Sequence, residues 1–85
     1  MDNKKLNSDD INIIKNKISK LYNDNSVIHI TINVKRKNAK NKEAIITGIY
    51  KNFFNVKMKG NLYDEELSIS YIDLLIGNIS INEIN

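Results

Sequence analysis

Residues 43–59 read E-A-I-I-T-G-I-Y-K-N-F-F-N-V-K-M-K, two β-rich runs on either side of Lys51-Asn52. Aromatic and β-branched residues dominate both runs, and Asn at a turn tolerates a left-handed backbone and bonds locally, so the stretch reads as a tight hairpin. Gly48, inside the first run, has no side chain to resist a bend and marks a bulge there. The inward set reads as Ile45 and Ile49, joined by Ala44 and Ile46, on the first arm and Phe54, Val56 and Met58 on the second. A hairpin bent in its first arm is how small five-stranded barrels begin to close.

On the N-terminal side, Ile28, Ile30, Ile32 and Val34 alternate with His29, Thr31 and Asn33, which is a strand with one buried face. Between it and the hairpin lies K-R-K-N-A-K-N-K over residues 35–42, five cations in eight residues with no acid. Like charges at that density repel, so a mobile loop is expected there. Further upstream, Ile11, Ile14, Ile18, Leu21 and Tyr22 fall on one face of a helix over about residues 8–22. Asn7 or Ser8 offers the N-cap, Asp9 and Asp10 suit the positive end of the dipole, and N-D-N-S is the stop. Residues 1–6 are expected to fray.

On the C-terminal side, Gly60-Asn61 suits a two-residue primed turn, with positive φ at the glycine. A fourth strand over 62–70 turns Tyr63, Leu67 and Ile69 inward. Y-I-D-L-L is too apolar for a loop and too short for a helix, which predicts a single 3₁₀ turn. There Asp73 would cap the turn and Tyr71 would bury its ring with the hydroxyl at the surface. After Gly77-Asn78, Ile79 and Ile81 form a fifth strand, and residues 82–85 are expected to be loose. The predicted class is mainly β: an N-terminal helix, then a five-stranded antiparallel SH3-like or Sm-like barrel over about 27–82, all one domain spanning 1–85.

A chain of 85 residues has a small core and gains from association. It lacks cysteine, so neither disulfides nor thiolate metal sites are available. The absence of a long apolar run and of an apolar leader segment points to a cytoplasmic protein with no membrane partner. Ile, Asn and Lys make up about half of the residues, a bias that inflates every lysine cluster. Residues 1–42 carry ten Lys/Arg against four Asp/Glu, and residues 43–85 carry three against six. That split suits a polyanion partner or head-to-tail self-pairing. With Ile13 off the apolar arc, it leads to the expectation of a homodimer.

The strongest functional candidates are Lys35, Arg36, Lys37, Lys40 and Lys42, which can contact phosphates or simply stay solvated. Tyr50 and Phe53, near the hairpin tip, can stack on bases, or they can finish a core or a protein contact. His29 is the one histidine; without a cysteine or a nearby nucleophile it reads as a rim residue, and no catalytic, cofactor or metal site is expected. Asp64, Glu65 and Glu66 do not match a calcium loop; they are simply solvated or protect a strand edge by repulsion, or else meet the basic loop of a neighbouring molecule.

G-I-Y-x-N-x-F-x-V-K, carried by Gly48, Ile49, Tyr50, Phe54 and Val56, followed by S-I-S-Y-I-D-L-L from Ser68 to Leu75, resembles the Veg family of small bacterial proteins. The amphipathic opening D-D-I-N-I-I-K-N-K-I is similar as well, and the resemblance spans about residues 9–82. The family's glycine- and arginine-rich connection is replaced here by 35–42, which keeps the charge but, apart from Arg36, not arginine's bidentate geometry. Lys51 stands where a turn proline is usual. The resemblance implies a regulator and not an enzyme, one that stimulates biofilm formation by raising matrix-gene expression through antagonism of a DNA-binding transcriptional repressor. The residues taken alone leave a second function open, a Sm-like nucleic-acid-binding module that uses the basic segment and the aromatics.

Overall fold

The computed structural model describes residues 8–34 and 38–84, with side chains from Asp10 onward. Helix α1 (Ser8–Asn23) leads into strands β1 (Val27–Asn33), β2 (Asn38–Ile49), β3 (Phe53–Met58) and β4 (Glu65–Ser70). Helix α2 (Tyr71–Ile76), strand β5 (Ile79–Ile81) and a 3₁₀ turn (Asn82–Ile84) complete the chain. The frayed start at 1–6 and the cap at Asn7 lie outside the described residues, as do the side chains of Ser8 and Asp9.

α1 keeps the predicted bounds to within a residue and stops for a local reason. Asn25 takes φ +55°, its N–H donates to Tyr22 O at 3.1 Å, and Ser26 N–H donates to Leu21 O at 3.1 Å. That pair of bonds around a left-handed residue satisfies carbonyls that the helix end would otherwise orphan. Ile18 is fully buried and Ile11, Ile14 and Leu21 pack around it, whereas Tyr22 and Ile13 lie in solvent. Tyr22 is therefore not on the apolar arc.

The five strands form one antiparallel sheet in the order β4-β3-β2-β1-β5. It does not close into the expected barrel. β5 has three residues, all paired with β1, while β4 pairs with β3, so β4 and β5 remain edges. α2 fills the connection between them and packs on both, and α1 seats Ile18 on the inner face in place of barrel closure. Ile28, Ile30, Phe54, Val56, Ile69 and Ile81 are almost fully buried there; each is worth about 1.5–3 kcal/mol relative to exposure.

Two bulges decide which way β2 faces. Between the pairs Ile30↔Lys42 and Ile32↔Ala39, β2 holds one extra residue, with Asn41 at φ +50° and its N–H on Thr31 Oγ1 at 3.1 Å. A second shift separates Ile46↔Val56 from Gly48↔Asn55, at the glycine where the sequence predicts it. With these bulges the buried positions are Ala39, Ala44 and Ile46, and Ile45 points out at 44% exposure. The inward place given to Ile45 is therefore wrong, while Phe54, Val56 and Met58 do point inward.

Two connections differ from expectation. Residues 59–64 form a longer β3–β4 connection, so Tyr63 is 78% exposed and not a strand residue facing the core. Gly60 does not take positive φ; a side chain there would instead run into the Tyr63 carbonyl oxygen. Y-I-D-L-L forms α-helix, not a 3₁₀ turn: Ser70 Oγ caps it by accepting from Ile72 N–H at 3.1 Å, and Gly77 ends it at φ +88°. Asp73 accepts from Asn78 Nδ2 at 3.2 Å and is not the cap.

Residues 82–84 are not loose, while Asn85 lies outside the described residues. Within the final 3₁₀ turn, Asn82 Nδ2 donates to Asn41 Oδ1 at 3.1 Å and Ile84 packs on the core. Glu83 docks on β1.

Candidate interaction surface

The hairpin tip is built by Ile49↔Phe54 pairing and by Tyr50 N–H donating to Phe53 O at 2.9 Å, which leaves Lys51-Asn52 as the turn. Tyr71 N–H reaches Asn52 O at 3.3 Å and so fixes the tip to the start of α2. Tyr50 and Phe53 stack with centroids 4.9 Å apart and planes inclined by 21°. The Tyr50 ring also lies over Gly48, where a Cβ would come within 2.9 Å of its hydroxyl. The ring thus covers the glycine bulge and rests on Phe53. Both aromatics stay partly exposed, and the stack uses one face of each.

The basic candidates fall elsewhere. Lys35, Arg36 and Lys37 lie outside the described residues. Lys40 and Lys42 are exposed on β2, which begins at Asn38, so this part of 35–42 is strand and not mobile loop. Lys42 pairs with Ile30 of β1 and the Asn41 N–H bonds Thr31 Oγ1, while both lysines are exposed. Eight residues separate Lys42 from Tyr50 along β2, roughly 25 Å of strand at about 3.3 Å per residue. Lys40 and Lys42 therefore sit near the start of β2 and the aromatic pair just beyond its end, so those two lysines and the aromatics do not form a composite site.

A second exposed surface escaped the sequence reading. Val27 pairs with Ile45, and Ile45 with Lys57, across the outer face of the sheet. Val27, Ile45, Glu43, Lys57, Lys59 and Asp64 line a groove of about 210 Å³. Beside it, on the 59–64 connection, Leu62 is 91% exposed and Tyr63 78%. The signal that could have revealed this face is the register, which sets Ala44 inward opposite Ile28 and turns Ile45 out opposite Val27.

His29 is half-buried and paired. Glu83 Oε1 accepts from the His29 backbone N–H and Oε2 meets Nδ1, both at 2.7 Å. Burial by itself would raise the Glu83 carboxyl, but the hydrogen bonds from the His29 side chain and backbone outweigh it and hold the group below its ordinary value. Tyr71 is 1% exposed, packed at 5.4 Å against Phe54 with Lys15 Nζ over its ring. Its hydroxyl is buried with no partner among the described residues, contrary to the surface position expected for it, and burial raises its pKa. Among the described residues no cluster of His, Cys, Asp and Glu could hold a metal ion, and no helix is long and apolar enough to cross a membrane.

The described residues thus form a small helix-capped sheet with stacked aromatics at one tip and a groove on its outer face. The chain belongs to the family described as biofilm formation stimulator VEG, whose family model matches residues 9–82. That span takes in both helices, all five strands and the S-Y-I-D element at the start of α2. Nothing matches the chain among curated proteins or among solved structures.

Proposed function

We propose that the chain is a cytoplasmic regulator, not an enzyme, that raises biofilm matrix-gene expression by binding a DNA-binding transcriptional repressor and relieving its action. Family membership over 9–82 carries this reading. The exposed Tyr50–Phe53 stack supports a protein contact, because aromatics held rigid at a tip bury large area at low entropy cost. The basic segment, with Lys40 and Lys42 on an exposed strand, steers the encounter. Self-association belongs to the same reading, supported by the small core, the split charge and Ile13 at 53% exposure.

The second reading, a nucleic-acid-binding module, rests on Lys40, Lys42 and Phe53. The distance between the lysines and the aromatics weighs against it, as does the use of one face of each ring within the stack.

The experiment is a matrix-gene reporter in cells lacking the chain, complemented with wild type or Phe53→Ser. Wild type restores expression and the variant does not, while the purified variant stays folded. Full rescue by a folded Phe53→Ser would remove the hairpin tip from the contact.

A further inference from the structure

We infer that the outer-face groove is the seat of a second copy of this chain, with Leu62 of each copy entering the Val27–Ile45 groove of the other. This deepens the self-association part of the proposed reading by naming its surface. Leu62 is the most exposed large apolar residue among those described, at 91%, and it stands clear of the groove although Lys59 and Asp64, at the ends of its own connection, line that groove. Such a residue gains nothing from its own fold. A partner that offers an apolar slot supplies the missing burial.

The charges select the partner. Glu43 and Asp64 line the groove together with Lys57 and Lys59, and none of the four forms an ion pair among the described residues. Two acids and two bases make a rim without net sign, which offers nothing to a polyanion. A rim carrying both signs is complementary to itself, since a two-fold axis brings the bases of one copy to the acids of the other. Contacts between two copies are then reciprocal: Leu62 meets Ile45 in one direction and the same pair meets again in the other. Tyr63 flanks the insertion as an aromatic neighbour of the kind enriched at such contacts. Nearer β4 on the same face, Ser68 Oγ donates to Asn55 Oδ1 at 2.7 Å, and that pair stays outside the contact.

The test is light scattering on the whole chain across a concentration series, with Leu62→Ser, Ile45→Glu and an equimolar mixture of the two. Both substitutions fall on exposed side chains, so melting curves should show both variants folded. Wild type is expected at twice the 9.8 kDa chain mass. Each variant alone should dissociate at least about tenfold more readily. The mixture should recover part of the association, because one Leu62 and one intact groove can still meet. A wild type that stays monomeric overturns both the surface and self-association. A dimer unaffected by Leu62→Ser, or a mixture no tighter than the single variants, overturns the surface and leaves self-association standing.

Discussion

The carboxylate of Glu83 holds His29 by two atoms, its backbone N–H and its Nδ1, each at 2.7 Å. Through this clamp the last turn of the chain is fastened to the central part of β1, beside the pairs that β5 makes with the same strand. The pair ties the short edge strand to the sheet where barrel closure would otherwise do so.

The clamp sets a pH dependence. The folded Glu83 carboxyl lies below the unfolded value of 4.5, so its contribution is complete above that value and is lost as pH falls through the folded one. Glu83→Gln should cost about 1 kcal/mol at neutral pH, after allowing for partial exposure. In a domain of this size that is a fall of roughly 4–8 °C in Tm. Thermal melts of both proteins from neutral to acid pH should converge as Glu83 protonates. Parallel curves would remove the clamp from the stability of the chain.

Tyr71 predicts a gain. Its hydroxyl is buried without a partner, so Tyr71→Phe keeps the packing on Phe54 and deletes a desolvated polar group. The variant should be more stable by about 1 kcal/mol in urea melts. Because burial raises the folded pKa, the wild type is fully stable below the unfolded value of 10.0 and weakens as pH rises through it. The Phe variant should lose that part of the alkaline decline. A less stable Tyr71→Phe would mean the hydroxyl has a partner.

The two left-handed helix stops should respond in opposite directions. Gly77→Ala forces a side chain into φ +88° at the end of α2 and should cost about 1 kcal/mol. Asn25→Gly relieves the same strain at φ +55° after α1 and should stabilise by a few tenths up to about 1 kcal/mol. Paired chemical denaturation measures both. Equal signs would contradict the helix-stop assignment.

Phe54 is the core position most costly to truncate. It is fully buried between β2 and β4 and touches Tyr71. Phe54→Ala should lose about 3–5 kcal/mol, a large part of what an 85-residue domain has. Ile13→Ser, at an exposed position, should change stability by less than about 0.5 kcal/mol. Urea midpoints for the two variants would separate core from surface.

Where the chain obeys an uninterrupted period, the sequence is a good guide. Ile28, Ile30 and Ile32 alternate over β1, Ile11 to Leu21 repeat over α1, and Gly48 marks its own bulge. The reading fails where something non-local sets the phase. The bulge at Gly48 resets the phase between Ile46 and Ile49, and alternation read straight back from Ile49 then puts Ile45 inside. Barrel closure depends on whether β5 is long enough to reach β4, which three residues do not reveal. The 59–64 connection hid Leu62 and Tyr63 because Gly60-Asn61 suits a tight turn, and the close approach of Tyr63 O to Gly60 forms only in the fold. Glu83 and His29 lie 54 residues apart, so no local pattern joins them. Of the candidate site, the Tyr50–Phe53 tip and the exposure of Lys40 and Lys42 were legible; the groove was not.

The most direct test of the regulatory reading is fluorescence anisotropy on labelled operator duplex from a matrix gene, saturated with its repressor at physiological ionic strength. Adding the chain should lower the anisotropy toward that of free DNA, and Phe53→Ser should not, while the chain alone should leave free operator unchanged. If the chain alone raises the anisotropy of free operator, and changing Lys35, Arg36, Lys37, Lys40 and Lys42 to Gln abolishes that rise, the chain binds nucleic acid and the repressor-antagonist reading fails.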